Sequence, residues 1–178
     1  MSAGLSANTR TIVIGLGNPI LSDDSVGIKI ARALKERLSV SNSLNCPEGP
    51  VDIIEVYAGG MRLMDAMVGY DHAIIADAVI TGNTMPGTIK CIMPSDICTT
   101  RNLTCSHDSG LSTALEMGKM LGLKLPSHIR IWGIEAKDVE TFSEDLTDEV
   151  KHAVPLAVEQ ICSYLFSCQK YAPCELQG

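Results

Sequence analysis

TIVIGLGNPILSDDSVGIKI, residues 11–30, is the stretch from which the fold can be read. Thr11 to Gly15 is a short β-branched run that ends in glycine, which predicts a buried strand entering a tight turn. The apolar period then changes. Val26, Ile30, Leu34 and Leu38 recur at i+4 with Ala31 beside them, and Lys29, Arg32, Lys35 and Glu36 fall on the opposite side, so an amphipathic helix follows the turn. Strand, turn and helix in that order open an α/β domain.

Working outward, Asn42 to Pro50 reads as a polar loop and Val51 to Tyr57 as a second strand that ends at Gly59-Gly60. A second helix is expected after it, with Met61, Met64, Met67 and Val68 as its apolar, core-filling face. Ala73 to Val79 is a third, almost wholly apolar strand. Thr81 to Gly87 is too short for the crossover that a parallel neighbour needs, so Thr88 to Met93 is expected to pair antiparallel with the third strand. Leu111, Ala114, Leu115, Gly118 and Leu121 mark a third helix, and Ile129 to Ile134 a fifth strand. A C-terminal helix begins near Thr147 and is kinked or restarted at Pro155. The expected architecture is a three-layer α/β sandwich: a mixed, mostly parallel five-stranded sheet with helices on both faces. Residues 1–178 read as one domain, with 1–10 and about 168–178 loosely ordered.

The chain has 178 residues, of which 46% are hydrophobic and 20% charged, enough to bury a sizeable core. Its 14 Lys and Arg against 21 Asp and Glu give a net charge of −7, which argues against nucleic acid or an anionic membrane as partner. No apolar run has the length of a spanning helix and the N-terminus lacks a secretory core, so a cytoplasmic protein is expected. The cysteine count, 7, is odd and no CxxC pair occurs, which implies neither a disulfide framework nor a zinc ribbon. Cys91, Cys98 and Cys105, and Cys162, Cys168 and Cys174, are evenly spaced without a shared geometry and read as ordinary thiols. A monomer is expected.

Ligands of open α/β sheets bind at the carboxyl edge of the strands. The candidate site is therefore assembled from the Gly15 to Asp24 loop, the Ala58 to Gly60 turn, Asp77 and a later loop that crosses the same edge. Gly15-Leu16-Gly17-Asn18 is a weak match to a dinucleotide-binding turn, because Ile20 replaces the third glycine. Glu55 stands where a ribose-binding acid would. Asp23-Asp24 precedes the first helix; helix capping accounts for one carboxylate, and a second calls for a cation or basic ligand. Asp77, a charge at the end of a buried strand, needs pairing, hydrogen bonds or a metal. His107 lies in a loop before the third helix. His72 and His128 fall in polar turns and His152 on a charged helix turn, all with ordinary surface roles. Cys105 with His107 lacks an acyl-transfer motif around it. Two carboxylates and an imidazole from three loops suit a borderline divalent ion such as nickel or zinc, with open positions for a substrate.

GLGNPILSDDSVG at 15–27, IIADAV at 74–79, SHDSGL at 106–111 and WGIEAKDVETFSEDLTDEV at 132–150 together resemble the [NiFe]-hydrogenase maturation endopeptidases, in order, from about Thr11 into the C-terminal helix. The resemblance implies a nickel-dependent, aspartate-type peptidase that removes the C-terminal extension of a [NiFe]-hydrogenase large-subunit precursor after nickel insertion. It carries the family's metal contacts onto Asp24, Asp77 and His107, with Asp24 and Asp77 as the candidate catalytic acids. Asn18, Gly59 and Gly60 are candidates for holding the substrate. The implied chain has no tightly bound cofactor of its own, since the nickel arrives in the precursor. Ser25 stands where many members have glycine, and the tail beyond about Ile161 does not match.

Two other readings compete. Peptidyl-tRNA hydrolases also open with a GLGNP turn, but the acidic balance is wrong for tRNA and no matching histidine follows. A Rossmann-like nucleotide-binding module, or a maturation factor that senses nickel without cutting, are the non-enzymatic alternatives.

Overall fold

A computed structural model describes residues 9–40, 45–46, 49–57, 59–94, 104–105 and 108–167. Strand β1 (Thr11–Leu16) leads through a 3-10 turn (Asp23–Ser25) into helix α1 (Val26–Val40). Then follow β2 (Asn45–Cys46), β3 (Gly49–Val56), α2 (Met61–Met67), β4 (His72–Ile80), β5 (Ile89–Ile92), β6 (Thr104–Cys105), α3 (Asp108–Met120), β7 (His128–Glu135) and α4 (Asp148–Phe166).

The five longer strands lie in the order β3-β1-β4-β7-β5, the first four parallel and β5 antiparallel at the edge. Helices α1 and α4 cover one face, where Val26, Ile30, Leu34 and Leu38 pack with Val158, Ile161 and Leu165 over Val13 and Ile74. Helices α2 and α3 cover the other, where Leu63, Met64, Met67 and Leu111 meet Ile12, Ile14, Ile75 and Ile131. This is the expected three-layer sandwich. Each of these large side chains contributes about 1.5–3 kcal/mol by leaving water, so the two apolar faces of the sheet dictate where the helices sit.

Several expectations need correction. Strand β5 is antiparallel, as its short connection requires, but its neighbour is β7 rather than β4: Cys91 faces Trp132 and Ile92 faces Ile131. The cause is that β7 pairs with β4 along its whole length, from His72–His128 to Val79–Glu135, which displaces β5 to the far side. In α2, Leu63 takes an inward position while Met61, at the first residue, stays 60% exposed. Helix α3 stops at Met120, leaving Leu121 exposed beyond it. Helix α4 runs without interruption through Pro155. The short strands β2 and β6 fall where the sequence suggested only connections. His72 and His128 are strand residues, in register at the amino ends of β4 and β7 with ring centroids 5.0 Å apart. Arg10, at the end of the segment expected to be loose, is tethered: its N–H donates to Asp71 (3.0 Å) and its guanidinium lies 4.5 Å from the Tyr70 ring.

Candidate functional site

Because β1 and β4 are parallel and Gly15 pairs with Ala76, Asp77 stands one residue past the last β1–β4 pair, where β1 turns away. Strand β4 continues to Ile80, and β6 takes the vacated edge by pairing Cys105 with Val79. The 3-10 turn that bears Asp24 packs against β4. Two glycines allow this approach. A Cβ on Gly17, whose φ is +150°, would lie 1.9 Å from the Asp24 carbonyl oxygen. One on Gly27 would lie 2.2 Å from the Ala76 carbonyl and 2.3 Å from that of Leu16. The glycine-rich turn thus serves to press the first helix onto the ends of two strands.

Asp24 and Asp77 arrive at this edge from different elements, and each is only 3% exposed. Asp24 accepts a hydrogen bond from the Asn18 N–H (2.9 Å), and Asn18 Oδ1 in turn accepts from the Ile20 N–H (3.2 Å), so Asn18 shapes the loop above the acid. Asp77 accepts from the N–H of Ala78 (2.9 Å). Ser25, in place of the common glycine, fits because its hydroxyl donates to the Ser22 carbonyl at 2.7 Å.

Asp23 does not need the cation that an adjacent pair of acids suggested. Fully buried, it accepts from the N–H groups of Lys137 (2.9 Å), Asp138 (3.0 Å) and Thr147 (2.8 Å), and from the Thr147 hydroxyl. It fastens the β7–α4 connection to the turn that carries Asp24. Asp23 bonds a distant loop, whereas Asp24 bonds backwards to Asn18.

His107 lies outside the described residues. Of its neighbours, Cys105 pairs with Val79, two residues beyond Asp77, and α3 begins at Asp108. Gly60 caps α2 with φ of +66°, which accounts for glycine there, and a Cβ would meet nothing within 4 Å. Gly59 is half-buried and Ala58 lies outside the described residues. Glu55 is engaged by Arg32 in a two-pronged ion pair and by the Tyr57 hydroxyl (3.0 Å), and the Arg32 guanidinium holds its carboxyl below the usual value. A ribose would have to displace both partners.

One residue at this edge was missed. Glu135, 3% exposed at the end of β7, accepts from the Thr81 N–H (2.8 Å) and hydroxyl (2.7 Å), the Gly82 N–H (2.9 Å) and the Thr84 hydroxyl (3.0 Å). Burial pushes its carboxyl up, but these donors together outweigh burial and hold it below the ordinary carboxylate value. It ties down the loop that leaves the strand carrying Asp77. Its signals in the sequence are an acid at the end of a strand, which by itself is commonplace, and its place within the 132–150 segment that carries the family resemblance.

Residues 28–164 match the family model described as hydrogenase maturation protease, a range that includes Asp77 and His107. The chain belongs to the hydrogenase maturation protease family. It is 28% identical over 157 residues to the hydrogenase 2 maturation protease of Escherichia coli strain K12, covering 88% of this chain and 90% of that protein. Among solved structures it resembles the hydrogenase maturating endopeptidase HybD from E. coli, at a TM-score of 0.70 and 26% identity over 88% of this chain and 92% of that one. It also resembles the [NiFe] hydrogenase maturation protease HybD from Thermococcus kodakarensis, with a TM-score of 0.69, 25% identity, and coverage of 89% and 100%. Asp24 and Asp77 are thus two recessed carboxylates carried to the carboxyl edge of the sheet on separate elements. No helix among the described residues is long and apolar enough to cross a membrane.

Proposed function

We propose that this chain is an endopeptidase that removes the C-terminal extension of a [NiFe]-hydrogenase large-subunit precursor once nickel has been inserted. Asp24, Asp77 and His107 contact the nickel held by the precursor, and that contact brings the scissile bond to the carboxyl edge of the sheet. The observation that carries this reading is that two buried acids, Asp77 on β4 and Asp24 on the turn packed against β4, lie at the carboxyl edge of the sheet, together with the full accounting of Asp23 by other partners. The acid next to Asp24 is thereby removed from the chemistry, and the remaining two are left on separate elements.

Weak, incomplete ligation is what such a role requires. The precursor's own ligands hold the ion, so the protease has only to recognise it and carries no resident metal. Hydrolysis then needs a water to lose a proton as it attacks the scissile carbonyl, and one of the two carboxylates takes it. Asn18 holds the Asp24 carboxylate in place, while Gly59 and Gly60 leave room for an extended substrate segment beside the edge. The expected setting is the cytoplasm, with the enzyme acting as a monomer on a protein partner.

Three substitutions test the assignment: Asp24→Asn, Asp77→Asn and His107→Ala, each assayed for the mobility shift that accompanies loss of the extension. All three are expected to fold and to stop processing. Full processing by both Asp77→Asn and His107→Ala refutes it.

A further inference from the structure

The β7–α4 connection, residues 136–147, is fastened to the 20–25 segment at many points. Besides the bonds to the Asp23 carboxylate, the Asp23 N–H donates to the Asp138 carbonyl (2.9 Å), the Ser22 N–H to that of Thr141 (3.0 Å) and the Ser143 N–H to that of Ile20 (3.1 Å). The Ser22 hydroxyl reaches the Asp145 carbonyl (3.0 Å), and Leu21 and Phe142 form an antiparallel bridge. Yet the tip of this tightly held connection shows apolar side chains to water: Phe142 is 79% exposed and the adjacent Ile20 is 53% exposed. A single exposed apolar residue is ordinary. Two of them, held rigid by backbone bonds to the turn that bears Asp24, form a pre-ordered contact element whose ordering cost is met before a partner arrives.

The charge around the tip limits what that partner is. Glu140, Glu144 and Asp145 are exposed beside it, and on the side toward α1 and α4 Glu144 and Asp145 border a pocket that also holds Lys29 and Lys151. Lys137, the only cation in the connection, is engaged with Glu149 at 2.7 Å. A second copy of this chain, itself at −7, would bring the same acidic rim against this one.

Resting on the processing role proposed above, we propose that Phe142 and Ile20 form the docking tip for the folded body of the precursor, seating in an apolar socket with a basic rim. The tip and Asp24 share one hydrogen-bonded segment, so the docked precursor is held on the side of the molecule that carries Asp24. Its contacts are equal before and during hydrolysis and therefore act on binding rather than on the chemical step.

The test measures both the affinity of this protein for nickel-loaded, full-length precursor and its processing kinetics, for the wild type, Phe142→Ser and the Glu140→Gln/Glu144→Gln pair. Phe142→Ser is expected to weaken binding and raise KM about 10-fold with kcat unchanged, as loss of a central apolar anchor does. The charge-neutral pair is expected to flatten the weakening of binding with salt. Unchanged affinity and KM for Phe142→Ser, or a fall in kcat alone, overturns the docking tip. Wild-type protein that binds through Phe142 but never cuts overturns the processing reading and leaves the tip standing. Wild-type protein that neither binds nor cuts overturns both.

Discussion

Replacing Asp23 by alanine should cost more stability than any other single polar substitution near the site. The carboxylate is fully buried and receives three backbone N–H groups and the Thr147 hydroxyl. Each buried donor left without a partner costs about 1–3 kcal/mol. These costs do not add fully, since the vacated space can admit water, so a loss of about 3–5 kcal/mol is expected out of a total of about 5–15 kcal/mol for a typical domain. Asp23→Asn keeps the shape and one accepting oxygen and should lose about half as much. Thr147→Val, which removes only the hydroxyl, should cost about 1 kcal/mol. Urea unfolding followed by circular dichroism gives all three values. If Asp23→Ala lies within about 1 kcal/mol of the wild type, the Asp23 clasp does not hold the two connections together.

Other expectations follow from neighbouring contacts. Glu135 has its carboxyl held below the ordinary value of 4.5, so its contribution to stability is complete above pH 4.5 and is lost as pH falls through the lowered value. Urea midpoints measured from pH 6 down to pH 3 should show an acid loss that is smaller in Glu135→Gln. Gly27→Ala sets a Cβ against two strand carbonyls and should both destabilise the fold, by about 2–4 kcal/mol, and abolish processing; unfolding and cleavage assays on one preparation check it. Arg32→Ala breaks an exposed ion pair with Glu55, and should change stability by at most about 1 kcal/mol and leave the processing rate unaltered.

The positions of the strands were legible because β-branched runs such as Thr11–Gly15 and Ala73–Val79 differ sharply from the helical period that follows Val26. Order within the sheet was less so. The sequence around Thr81–Gly87 encodes the reversal of direction but not the partner, since β5 is placed by β7, a strand about 40 residues later in the chain whose pairing with β4 has no local sign. Similar reasoning applies to the acids. Asp77 stood out because it interrupts an apolar run, whereas the roles of Asp23 and Asp24 are decided by backbone donors from residues 137–147 and 18, of which only the near one is visible locally. Glu135 was hidden for the same reason: its donors come from the loop after β4. Met61 shows the opposite failure: the regular methionine spacing grouped it with Met64 and Met67, which are buried, but as the first residue of the helix it stays 60% exposed.

Cleavage of a nickel-loaded precursor by means of Asp24, Asp77 and His107 is the role proposed for this chain. It is tested most directly by the intact mass of a [NiFe]-hydrogenase large-subunit precursor after incubation with this protein, with and without nickel in the precursor. Loss of a C-terminal peptide is expected only from the nickel-loaded form, and none with Asp77→Asn. A precursor whose mass stays unchanged in both forms, or is reduced equally by Asp77→Asn, would contradict it.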